Sequence, residues 1–164
     1  MNLREILHKH KESFQDKLLE SLSQKHSIPT EEVMKQFGDN INILVNSKYA
    51  PLEQVADDIC AVKNPVVLNI RRARQREDTC KICESNEPNI RALDQMHGTT
   101  ISIFEISEDS AAGSLYHVLF KGAPDEDKKL PLTAIIHNGD VKRVWAGKSV
   151  EPSVYSGLIR KALA

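Results

Sequence analysis

Two thiols stand three positions apart in Cys80-Lys81-Ile82-Cys83. A pair so spaced can close a disulfide within one turn of chain, or supply half the ligands of a soft metal site. Exchange with an external disulfide needs a thiolate, so one sulfur must be made more acidic and kept accessible. Ile90, Leu93 and Met96 continue at helical spacing beyond the cysteines, and Gly98 follows them. This predicts a helix that starts at the pair and ends near Gly98. Cys80 then lies at the helix N-terminus, where unpaired N–H groups and the macrodipole favour an anion. Lys81 adds a cation next to it. Cys83, one turn further in, is placed to resolve a mixed disulfide formed at Cys80.

Holding such a pair takes a strand ahead of it and a sheet around it. Val66-Val67-Leu68-Asn69-Ile70 is almost continuously apolar, as the centre of a sheet is. A polar loop over 71–79 leads from it to the cysteines. Downstream, residues 100–106 alternate as a strand, and a short helix is predicted through Leu115, Tyr116, Val118 and Leu119. A charged loop is expected over 122–129. Strands at 132–137 and 141–145 flank Asn138-Gly139, a strong hairpin signal. Pro152 opens a last helix carrying Val154, Leu158, Ile159 and Leu163.

Upstream, Leu3, Ile6, Leu7, Phe14, Leu18, Leu19 and Leu22 mark an amphipathic helix. A second helix is predicted from Thr30 as its N-cap to Gly38. Ile41 to Val45 reads as a short strand, and Pro51 as the start of a further helix with Leu52, Val55, Ala56 and Ile59 buried. The expected organisation is a helical extension over 1–38 and an α/β domain over 41–164.

From residue 41 onward the chain resembles the thioredoxin family. The likeness rests on the buried strand at 66–70, Cys80-x-x-Cys83 opening a helix, Leu130-Pro131 before a strand, and the Asn138-Gly139 hairpin followed by Val144-Trp145-Ala146-Gly147. It implies a thioredoxin-like mixed sheet flanked by helices, here preceded by the helical extension. It also implies a thiol–disulfide oxidoreductase acting on a protein or small disulfide, with Cys80 and Cys83 as the reacting pair and no cofactor. By the same resemblance Pro131 is cis beside the cysteines, and Leu130, Pro131 and Lys81 meet the substrate. Three departures stand out. The motif Thr79-Cys80-Lys81-Ile82-Cys83 lacks the usual Trp, Gly and Pro, the loop before it is longer, and Asn69 replaces a buried aspartate. Asparagine hydrogen-bonds but cannot take a proton, which predicts slow general disulfide reduction.

The same residues allow other readings. A redox-inert binding or assembly module could use the N-terminal helices as its interaction surface. A metal or iron–sulfur site needs about four ligands, and one C-x-x-C supplies two. Cys60 reads as a core residue on its helix, so the remaining ligands would come from a second copy. Arg71-Arg72-Ala73-Arg74-Gln75-Arg76 could dock an acidic or phosphorylated partner, but Glu77-Asp78 follow and no aromatic residues interleave, so a solvated charged loop is favoured. His8, His10, His26, His97, His117 and His137 show no ligand spacing, and Trp145 reads as packing.

The whole-chain figures agree with a globular protein. The 164 residues are 40% hydrophobic and 27% charged, enough for a core without disulfide staples. Twenty-two Lys and Arg against 23 Asp and Glu leave a net charge of -1, which disfavours nucleic acid as a partner. No apolar run is long enough for a membrane span and three cysteines do not make a secreted scaffold, so a cytoplasmic address is expected. The expected partner is a protein disulfide substrate or redox protein, with the N-terminal helices available for self-association.

Overall fold

The computed structural model describes residues 1–120 and 129–164. Of the charged loop expected over 122–129, only Lys129 falls among them. Helix α1 (Leu3–His26) is capped by Asn2, whose side-chain oxygen accepts from the Arg4 N–H at 2.9 Å. It stops at Ser27, which takes a left-handed conformation. Helix α2 (Thr30–Ala61) follows Pro29, so Pro29 rather than Thr30 is the cap residue.

Two expectations fail here. Gly38 does not end a helix, and Ile41–Val45 is not a strand, because α2 runs through both without a break. The side chains show why. Ile41, Val45, Tyr49, Leu52, Ala56 and Ile59 are all buried, at steps of three and four, while Ile43 and Leu44 face solvent. Four apolar residues interrupted by Asn42 can satisfy either period over so short a run, and the helical stripe wins because it continues to Ile59, about four turns on, against the sheet. Pro51 accordingly lies inside α2 instead of opening a helix. The expected boundary at 38–41 is spanned by this one helix.

The sheet has four strands in the order β2-β1-β3-β4: β1 (Val66–Arg71), β2 (Ser102–Ser107), β3 (Leu132–His137) and β4 (Asp140–Ala146). β1 pairs with β2 in parallel, and their crossover carries α3 (Lys81–His97). On its other side β1 meets β3 antiparallel, with Asn69 opposite Thr133, and β3 turns into β4 at Asn138-Gly139. Both turn residues have positive φ, 52° and 79°, as a two-residue hairpin requires. The N-terminus is fastened to this turn: the Leu3 N–H donates to the Gly139 carbonyl at 2.7 Å.

Strand alternation sends the two sets of side chains to opposite cores. Leu68, Ile70, Ala134 and Ile136 pack with α1, α2 and the short α4 (Leu115–Leu119). Val67, Ile135 and Trp145 pack with Ile90 and Leu93 of α3 and with Tyr155 and Ile159 of α5 (Pro152–Leu163). The N-terminal helices are thus a cover for one face of the sheet. No helix among the described residues is long and apolar enough to cross a membrane.

Candidate functional site

Cys80 is the N-cap residue of α3, and its sulfur accepts the Cys83 N–H at 3.1 Å. A serine or aspartate oxygen does the same at ordinary helix starts. The cap geometry turns the second cysteine back toward the first, and the two are joined as a disulfide with their Cα atoms 5.2 Å apart. Their surroundings differ. Cys83 is 2% exposed, whereas Cys80 is half-buried at the rim.

Across the gap, the Leu130 carbonyl oxygen lies 3.8 Å from the Cys80 sulfur. The Leu130–Pro131 peptide bond is cis, and the buried Pro131 accepts the Gly147 N–H at 2.9 Å. Cys80, Lys81 and Leu130 therefore line one groove of about 510 Å³, together with Ile82, Arg72, Glu108 and Lys129. Glu108 and Leu130 also border a second depression of about 380 Å³ that contains Ser110, Ser114 and Tyr116.

Beneath the pair the polar groups are buried and uncharged. Asn69 and Thr133 face the same side as neighbours in the sheet, and the Thr133 hydroxyl donates to the Asn69 side-chain oxygen at 3.4 Å. Asn86, 1% exposed and one turn beyond Cys83, donates to the Thr133 oxygen at 3.5 Å. The Asn86 oxygen accepts from the Val150 N–H at 3.0 Å and from the Tyr155 hydroxyl at 3.2 Å. Burial pushes the Tyr155 pKa up, so this phenol stays protonated as a donor. No carboxylate takes part in this network.

Carboxylates sit instead at the edge, where they neutralise the arginine loop. Arg71 is 4% exposed and pairs with Glu87 at 3.1 Å. Arg74 holds Glu105 and Glu87, Arg72 holds Glu108, and Arg76 holds Asp78 and Asp109. Burial alone would raise the Glu87 pKa, but hydrogen bonds from Arg74 and Arg71 outweigh it and keep the carboxyl below its usual range. The solvated-loop expectation thus holds for Arg74 and Arg76 but not for Arg71, which is buried. The sequence singles out neither Asn86 nor Thr133, and Arg71 reads there only as one member of a charged run. The usable signal was a polar residue on an otherwise buried stripe: Thr133 within Leu132-Thr133-Ala134-Ile135-Ile136, and Asn86 three places after Cys83.

Cys60 lies at the far end of the sheet. A Cβ built on Gly139 would stand 3.3 Å from its sulfur, and Gly139 is in the β3–β4 turn, opposite the end that carries the pair. Six residues of strand separate the two ends, roughly 20 Å. Cys60 is half-buried and free, and burial raises its pKa. Cys60→Ala is expected to leave exchange at Cys80 within about twofold and to cost about 1 kcal/mol, read by a peptide-disulfide assay and urea melts. Trp145 is 7% exposed and stands edge-on to Tyr155 at 5.0 Å, a packing role.

No family model and no curated protein matches this chain. Solved structures do. A malarial protein aligns at 19% identity over 62% of this chain and 99% of its own, with a TM-score of 0.48. Thioredoxin-2, described as a component of the malaria parasite protein secretion machinery, aligns at 18% over 60% and 82%, with a TM-score of 0.47. Chloroplastic thioredoxin z aligns at 12% over 68% and 88%, with a TM-score of 0.49. The fold is read from the chain's own topology: a parallel pair joined through α3, a hairpin added on the far side of β1, and a cysteine pair at the start of the crossover helix. The fold is thioredoxin-like. Its sheet lacks the strand expected at 41–45, and α2 packs where the sheet domain begins.

Proposed function

We propose that the protein is a thiol–disulfide oxidoreductase that uses Cys80 as attacking and Cys83 as resolving thiol on a protein or small disulfide. The observation that supports this most directly is the asymmetry of a bonded pair: Cys80 half-exposed at a helix N-terminus, Cys83 shielded behind it. A pair buried at both sulfurs would serve only as a staple.

In the reduced protein the Cys80 thiolate attacks one sulfur of the substrate disulfide. The substrate S–S bond breaks, and the departing thiolate takes a proton from water. Cys83 then gives its proton to solvent base and attacks the Cys80 sulfur, which releases the second substrate thiolate and closes Cys80–Cys83. Two electrons pass from the pair to the substrate, and an external dithiol restores them. The Cys83 N–H and the first turn of α3 stabilise the anion at Cys80. The Leu130 carbonyl, 3.8 Å from the Cys80 sulfur and lining the same groove, offers the substrate backbone an acceptor. A reducing cytoplasm fits such chemistry and is part of the same proposal.

Equilibration in buffers of fixed dithiol/disulfide ratio, followed by mass determination of alkylated thiols, tests the reading. One reversible two-electron couple at Cys80–Cys83 is expected, with Cys60 alkylated throughout. A pair that never reopens in dithiol buffers would favour the redox-inert module. Asn69→Asp adds a proton acceptor below Cys83 and is expected to speed insulin reduction several-fold, about tenfold at most.

A further inference from the structure

We propose that the disulfide this site reads is carried by an acidic segment, drawn in by lysines rather than by the arginine loop. The inference rests on the exchange reading above and adds the substrate class. Four arginines in six residues are the densest positive charge in the sequence, yet every one of them is paired with carboxylates of the same chain. They leave little field for a partner. Glu108, which lines the groove at Cys80, is likewise engaged, by Arg72 at 2.9 Å and Arg76 at 3.4 Å.

The lysines are different. Lys81 and Lys129 are exposed, line the same groove as Cys80, and have no carboxylate partner among the described residues. Lys148 is exposed too, and likewise without such a partner. It adjoins Lys129, because the Gly147 backbone packs so closely on the Lys129 side chain that a Cβ there would come within 2.6 Å of it. Gly147 has φ +66°, so both the contact and the turn depend on glycine. Among the described residues, two unpaired ammonium groups thus line a groove whose other charges, Arg72 and Glu108, are paired, and a third stands beside Lys129. Ile82, 36% exposed, gives the groove an apolar lip.

This arrangement answers a specific difficulty. A thiolate approaching a disulfide flanked by Asp or Glu meets like charge, and inside one screening length of ~8 Å that repulsion slows attack. Ammonium groups that line the Cys80 groove, unpaired among the described residues, reverse the sign and favour encounter.

The test compares two synthetic peptides of equal length, each closed by one disulfide, with Glu or with Lys beside each cysteine. Second-order rate constants for oxidation of the reduced protein are measured by acid quench and mass spectrometry. The acidic peptide is expected to react about tenfold faster at low ionic strength, with the ratio falling toward unity in ~0.5 M salt. Lys129→Glu combined with Lys148→Glu should abolish or invert the ratio. Both peptides meet the same thiolate, so changes in stability or in Cys80 acidity cancel from that ratio. Equal rates for the two peptides, or a preference that survives the double reversal, would overturn the inference. Failure of both peptides and of uncharged hydroxyethyl disulfide would instead remove the exchange reading, and the substrate class with it.

Discussion

Cys80→Ser is expected to abolish exchange, a loss of about a thousandfold or more, because a serine hydroxyl at neutral pH is no substitute for a thiolate nucleophile. Cys83→Ser should behave differently. The sulfur that faces the groove is still there, so the first attack proceeds, but the buried partner that would displace the substrate is gone. The variant should accumulate a covalent complex through Cys80, visible as the summed mass on non-reducing analysis. The thiols should also titrate apart: Cys80 first, aided by the Cys83 N–H and the helix N-terminus, and Cys83 later, since neither Asn69 nor Asn86 can accept its proton. A complex trapped through Cys83 instead, or a more acidic Cys83, would reverse the assigned roles.

Asn86→Leu should produce the largest loss of stability of any change near the site that spares the cysteines, about 2–4 kcal/mol. Leucine matches the volume, so the cost comes from polar groups. The Val150 N–H would be left buried without its 3.0 Å acceptor, and the Tyr155 and Thr133 hydroxyls would each lose a partner. The same amide joins the first turns of α3, which carry the cysteine pair, to the strand that follows Pro131 and to the turn before α5. Urea melts should show a lower midpoint at unchanged slope, and the Michaelis constant for a peptide disulfide should rise as these segments lose register. Asn86→Ala combined with Asn69→Ala should lose less than the sum of the two single changes, since both remove parts of one network. Strict additivity would mean that Asn86 packs without connecting.

The chemistry was legible early because it depends on short-range features. A C-x-x-C before a helical stripe, an apolar strand ahead of it and an Asn-Gly hairpin behind are local patterns, and each is set by backbone preferences over a few residues. The roles proposed for Cys80 and Cys83 rest on their order along one helix, which the chain direction alone gives. Helix against strand at Ile41–Val45 was a different matter. Four apolar residues around Asn42 match both periods over so short a run, and the outcome was decided by burial of Val45, Tyr49 and Leu52 against a sheet that begins some twenty residues later.

Charge is where sequence and structure part most clearly. Read along the chain, Arg71 to Arg76 is a positive patch and the lysines are scattered. Folding brings Glu87 from α3, Glu105 from β2, and Glu108 and Asp109 from the loop after it onto those arginines, while Lys81 and Lys129, 48 positions apart in number, line one groove with the Cys80 sulfur. Electrostatic interaction falls off over a few ångströms in space and takes no account of separation along the chain. Composition and local pattern thus determined the elements from Val66 onward, their order and the cysteine pair. Which charges are spent inside the molecule, and which remain for a partner, was decided only when distant segments were packed together.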